Sequence, residues 1–202
     1  MIFIAVMFCV GLPTKAKACR LYLESPRKNY SVGEEFVLEI RIDPEEESIN
    51  ALEINLEFDK EVLELKGFEW QDSILPIWIK KPEEIDVENI NEEGLISFSG
   101  GIPGGFEKKF FDTPIEANLL GKLIFKVKEK TENRNFAIIR FLESSEVLLN
   151  DGRGGKADLS TEGMVLSISQ QNIEGIEVEE KEDEPLKEFS RLLFLLEIVY
   201  NE

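Results

Sequence analysis

From Leu21 onward the chain alternates apolar and polar residues with a period of two. Phe36, Leu38, Ile40 and Ile42 alternate with Val37, Glu39, Arg41 and Asp43, the pattern of a strand with one dry and one wet face. Leu52, Ile54, Leu56 and Phe58 do the same against Glu53, Asn55, Glu57 and Asp59. Leu123, Phe125 and Val127 repeat it, as do Met164, Leu166 and Ile168 against Ser167 and Ser169. Turn signals punctuate these runs at Ser31-Val32-Gly33-Glu34, Asp43-Pro44, Asp151-Gly152 and Gly154-Gly155. About nine such runs, with no convincing helix before residue 180, predict an all-β fold. Each sheet has one apolar face to bury, so two sheets must pack face to face as a β-sandwich.

Gly94 to Phe106 stands apart from that regularity. It begins as a strand, with Leu95, Ser97 and Ser99 alternating against Ile96 and Phe98. The glycines then predict a wide loop between antiparallel strands, in which Gly100, Gly101, Pro103, Gly104 and Gly105 set the turn. A phosphate cradle is disfavoured. No Lys-Ser/Thr pair opens a helix after the glycines, and strand-like patterns lie on both sides rather than a βαβ unit.

The two ends depart from the pattern. Met1–Val10 is almost wholly apolar, and Ala16-Lys17-Ala18 follows a Gly-Leu-Pro breaker. Residues 1–18 therefore read as a secretory signal peptide cleaved after Ala18, and the run is too short to span a bilayer. The positive n-region of such leaders is missing beyond the α-amine, which suggests a start upstream of Met1. Cys19 fits a lipidation signal poorly, with Lys17 beside it, and is read as incidental. Residues 19–170 form the sandwich, and residues 171–185, rich in Glu and Asp, read as a solvated linker. In 186–202, Leu186, Phe189, Leu192, Leu193 and Leu196 fall at helical spacing. This short helical tail is either the start of a truncated segment or a small helix lying on the sandwich.

Composition narrows the function. With 23 basic against 41 acidic residues the formal net charge is −18, a field that repels nucleic acid and anionic lipid. There is no histidine, which removes His-based triads and His-containing zinc sets. The two cysteines, Cys9 and Cys19, both lie in the first twenty residues, so the body of the protein has neither disulfide nor thiolate metal site.

Several segments in order resemble cohesin modules: Tyr30-Ser31-Val32-Gly33-Glu34-Glu35-Phe36, Ile49-Asn50-Ala51-Leu52-Glu53, Phe58-Asp59-Lys60-Glu61-Val62-Leu63-Glu64 and Gly121-Lys122-Leu123-Ile124-Phe125. Leu95 to Gly104 and Ser145 to Gly152 are similar to a bacterial and archaeal subgroup of cohesin-like proteins outside cellulosomes. The resemblance spans about residues 20–169. It implies a nine-stranded jelly-roll sandwich related to carbohydrate-binding modules, and no catalysis. It also implies recognition of a dockerin, a small calcium-binding helical module, across one sheet face at the cell surface.

Candidate sites can be weighed residue by residue. Asp59 can accept from backbone N–H groups two residues on and is read as a turn residue. Trp70 and Trp78 are the flat side chains a sugar-binding face would use, with core packing the simpler reading for Trp78 and exposure expected for Trp70. Asn150, Asp151 and Asp158 offer oxygen ligands for a calcium loop. They lack the spacing of an EF-hand, and a plain turn is preferred. Glu45-Glu46-Glu47 and Glu83-Glu84 read as solvated loops, and nothing raises one carboxylate pair to a glycosidase centre. The leading reading is a non-catalytic, extracellular or cell-surface module that binds a dockerin-like protein in an assembly linked to polysaccharide. The alternative is a module that binds polysaccharide directly through exposed aromatics. An outer sheet face with apolar and Asn/Ser/Glu residues would favour the first, and aligned surface aromatics the second.

Overall fold

A computed structural model describes residues 18–107, 118–129 and 134–169. The expected leader up to Lys17, the acidic linker and the helical tail lie outside these residues. The strands are β1 (Cys19–Glu24), β2 (Asn29–Ser31), β3 (Glu35–Asp43), β4 (Ile49–Phe58), β5 (Leu63–Glu69) and β6 (Ile77–Lys80). They continue with β7 (Leu95–Phe106), β8 (Leu119–Val127), β9 (Phe136–Phe141), β10 (Glu146–Leu149), β11 (Leu159–Glu162) and β12 (Met164–Ser169). The first sheet runs in the order β11-β1-β3-β8-β5 and the second in the order β2-β12-β9-β4-β7-β6, with β10 paired to β4. The period-two runs are the long strands. Short pieces such as β2, β6, β10 and β11, each of three or four residues, carry the count beyond nine.

The apolar positions of the alternation make the core. Leu38, Ile40 and Ile42 from the first sheet face Ile54, Leu56 and Phe98 from the second, all without solvent exposure. Burial of one such aliphatic side chain contributes about 1.5–3 kcal/mol. Most pairings are antiparallel, but β1 runs parallel to β11 and β2 parallel to β12. The chain thus opens and closes the sandwich with strands that lie side by side.

Two expectations are corrected here. A helix does precede residue 180: α1 (Val87–Glu93) follows a 3-10 turn at Glu84–Asp86 and ends on Gly94, whose φ of 74° gives the left-handed cap. Its sequence Val-Glu-Asn-Ile-Asn-Glu-Glu buries no residue, so there was no apolar stripe to announce it.

The second correction is to the glycine-rich stretch, which is strand and not loop for most of its length. Gly100 pairs with Leu52 on one side and Trp78 on the other, and Gly101 with Ala51 and Ile77. At Gly100 a Cβ would lie 2.6 Å from the carbonyl oxygen of Ile77 and 3.2 Å from Leu75. Glycine is therefore required by close approach of β6, not by a turn. Only Gly104 and Gly105 take positive φ, 86° and 83°. With Pro103 they form an irregular bulge, across which the register with β4 jumps from Ala51↔Gly101 to Ile49↔Phe106.

Candidate partner-binding face

The two outer faces of the sandwich differ in chemistry. On the first sheet the outward side chains neutralise one another. Arg41, nearly buried, donates to Glu24 at 2.8 Å, Glu39 at 2.6 Å and Asn118 at 2.7 Å, and Asn118 in turn donates to the Tyr22 hydroxyl. Lys122 pairs with Glu39, Lys66 with Glu64, and Arg20 with Glu162 and Asp43. Most of the charged groups across the middle of this face are thus matched to one another.

The second sheet presents something different. Its outward positions on β4 are Ala51, Glu53, Asn55 and Glu57, registered against Gly101, Ser99, Ser97 and Leu95 on β7. Large exposed apolar side chains gather on this sheet: Ile77 and Ile79 on β6, Leu95 on β7, Phe136 and Ile138 on β9 and Val165 on β12. Glu57 is matched by Arg140, whose Nε donates at 2.6 Å. Glu53, at the middle of the sheet, has only a 3.5 Å contact from the Asn55 amide and no cationic partner among the described residues.

Helix α1 and the segment after β6 rise beside this face and make it a groove of about 640 Å³. Glu53, Asn55, Ser97 and Leu95 lie on its sheet side, with Lys80 and Asn89 opposite. The wall is held from below: the Asn91 amide on α1 bridges to β5, donating to the Leu65 carbonyl at 2.8 Å and accepting from its N–H at 2.7 Å. The groove thus combines apolar, amide and hydroxyl groups with charges of both signs, Lys80 and Lys81 beside Glu53, Asp86 and Glu93. That mixture is typical of a protein interface rather than of a deep small-molecule cavity.

The residues singled out in the sequence fall elsewhere. Trp70 is not exposed as expected. Its ring stacks on Phe68 at 5.3 Å, meets Trp78 edge-on at 4.9 Å and Phe98 at 5.2 Å, and its Nε1 donates to the Pro82 carbonyl. Trp78 points inward from edge strand β6 into the same cluster. Both indoles are only partly exposed and lock against each other, so they present no aligned stacking platform.

In the proposed calcium loop Asp151 turns its carboxylate onto its own backbone. Oδ1 accepts from the N–H of Arg153 at 2.7 Å and of Gly155 at 3.3 Å, and the Arg153 N–H chiefly holds the carboxyl below its ordinary value. Asn150 donates to the Gly104 carbonyl at 3.2 Å and to Ser48, which ties the loop to the β7 bulge. Asp158 is exposed. The loop has the geometry of a turn, and no group of three acidic or thiol side chains that could hold a metal occurs among the described residues.

Asp59 caps the turn after β4, accepting from Glu61 N–H at 3.3 Å and from the Arg134 guanidinium at 2.9 Å. The groove residues Asn55, Ser97 and Leu95 were not singled out in the sequence. Their signal was available only as the outward half of two strands, where Asn55, Ser97 and Leu95 alternate with the apolar core positions.

An open, chemically mixed face on a two-sheet sandwich defines a recognition module. The family model of the cohesin domain matches residues 23–163, and the chain belongs to the cohesin family. No curated protein matches it in sequence. A type I cohesin of Clostridium thermocellum, solved as a cohesin–dockerin complex, is similar in fold, with a TM-score of 0.54 at 13% identity over 80% of this chain and 99% of that one. The third ScaB cohesin of R. flavefaciens, solved with a group 1 dockerin, gives 0.52 at 14% identity over 78% and 99%. The cohesin module of a Clostridium perfringens family 33 glycoside hydrolase gives 0.51 at 14% identity over 75% and 98%.

Proposed function

We propose that this cohesin is a non-catalytic docking module, and that the outer face of the second sheet, at the groove beside α1, receives a dockerin-like helical protein. The observation that carries the reading is the contrast between the two faces. One is closed by its own ion pairs, while the other leaves Leu95, Ile77, Asn55, Ser97 and the unmatched Glu53 turned to solvent. A helix laid in the groove would cover the apolar groups and bring a cationic or donor side chain to Glu53. The acidic chain favours a partner whose contact surface is basic. The leader expected at residues 1–18 supports an extracellular or cell-surface setting, and assembly with polysaccharide-acting proteins extends the reading from the cohesin module, similar in fold, of a family 33 glycoside hydrolase.

The test is direct binding of the full chain to a panel of dockerin modules with calcium, followed by calorimetry on any pair that forms. Glu53→Arg and Leu95→Asp should each weaken binding by tenfold or more, about 1.4 kcal/mol, without lowering the melting temperature. Undiminished binding by both variants would overturn the groove assignment. Retention on insoluble polysaccharide with no dockerin bound would overturn the docking reading itself.

A further inference from the structure

We infer that Asn29 is an acceptor for an N-linked saccharide, and that this saccharide covers an apolar corner of the second sheet formed by Phe136, Ile138 and Val165. Asn29-Tyr30-Ser31 meets the acceptor pattern, Asn-x-Ser with x other than Pro. Asn29 opens β2, the edge strand of the second sheet, and is exposed. Tyr30 beneath it is 2% exposed, with its ring stacked on Phe36 at 4.2 Å. Asn29 and Ser31 therefore face outward.

A second observation says what such a group would rest on. The register sets Asn29 beside Ser167 on β12, and Ser167 beside Phe136 on β9. Two strand spacings separate Asn29 from Phe136, about 10 Å, and only the short Ser167 side chain stands between. Phe136 is 52% exposed, and Val165 and Ile138, directly opposite each other two pairs further along and so on the same face, are 58% and 43% exposed. A hexose ring has an apolar C–H face that packs on such a ring and on aliphatic groups. It would also shield the open edge at β2 from pairing with another chain.

The transfer takes its saccharide from a lipid-linked pyrophosphoryl oligosaccharide. The bond between the Asn29 amide nitrogen and the anomeric carbon forms as the anomeric C–O bond to pyrophosphate breaks. The amide gives up one proton, and the lipid pyrophosphate leaves.

The acceptor Asn29 lies three strand spacings, about 14 Å, from β4, so its modification is read independently of the groove. The full chain would be secreted from a eukaryotic host whose transferase accepts Asn-x-Ser, beside N29Q and S31A. The wild-type peptide starting at Asn29 should carry hexosamine and both variants none. An unmodified Asn29 in the secreted wild type overturns the acceptor assignment. Covering is read with a dye that fluoresces on apolar surface. N29Q should gain fluorescence over the glycosylated wild type, and adding Phe136→Ser should abolish the gain. Equal fluorescence with and without the glycan overturns the covering.

Discussion

Cys19, the first residue of β1, has no solvent exposure and no disulfide partner. Burial, with Asp43 adding to it, pushes its thiol up from 9.0 to about 12. A thiol whose folded value is raised stays protonated in the native state after the unfolded chain has begun to ionise. Its contribution to stability is therefore complete below pH 9 and is lost as pH climbs from there towards 12, each step of one pH unit removing about 1.4 kcal/mol. Labelling of Cys19, read on its own peptide, should be negligible at pH 8 in the native chain and complete in denaturant. Cys19→Ala should flatten the alkaline loss measured by denaturant unfolding between pH 9 and 11, and an unchanged slope would refute the assignment. The sequence offered Cys19 only as a leftover beside a cleavage site. Its role is legible once Leu21 and Leu23 are seen to share its face. Asp151 was equally ambiguous, since the same short carboxylate that binds calcium can satisfy a turn, and in the structure its Oδ1 accepts from the N–H groups of Arg153 and Gly155.

At the scale of elements, the two sheets are joined along one side by the aromatic cluster of Phe68, Trp70, Trp78 and Phe98. Trp70 lies so close to β8 that a Cβ on Gly121 would fall 2.2 Å from its ring. Gly121→Ala should displace the indole, change tryptophan fluorescence and cost about 1–3 kcal/mol in denaturant unfolding. Unaltered emission and stability would show that the ring moves freely. The long strands were readable because their alternation is strict. Strand β7 was readable only in its first half, because Gly100 and Gly101 have no side chain to alternate and look like a turn. What fixes them as strand is β6 pressing from the next position, a tertiary fact with no local trace. Helix α1 was hidden for the converse reason, being a polar helix at the surface that adds no apolar period. The groove shares this blindness, since its wall is α1 and its floor is the outward polar side of β4 and β7, which reads as any wet strand face.

The whole sandwich depends on its last strands. The β11–β1 pairing joins residues at the two ends of the domain, as in the Ser160 hydroxyl donating to the Cys19 carbonyl 141 positions away. Removing Leu159–Ser169 would take one neighbour each from β1 and β9 and, among the described residues, the only paired strand from β2. That loss should exceed the usual margin of about 5–15 kcal/mol for a domain, so the shortened chain should show no cooperative thermal transition by circular dichroism. A retained transition would mean that the remaining strands close a core without them. The fold class was legible because two-faced strands leave no other way to bury their apolar sides, whereas the parallel closure joins segments too distant for any local pattern to reveal.

That closure has a mechanical consequence. Since β1 and β11 start side by side, and β2 and β12 finish side by side, the backbone comes in at one pole of the domain and leaves at the other. Tension along the chain therefore slides the terminal strands lengthwise past each other. The hydrogen bonds between them share the load and must fail together, instead of opening one after another like a zipper. A module loaded between its two ends is held by the direction of its strands as much as by their number.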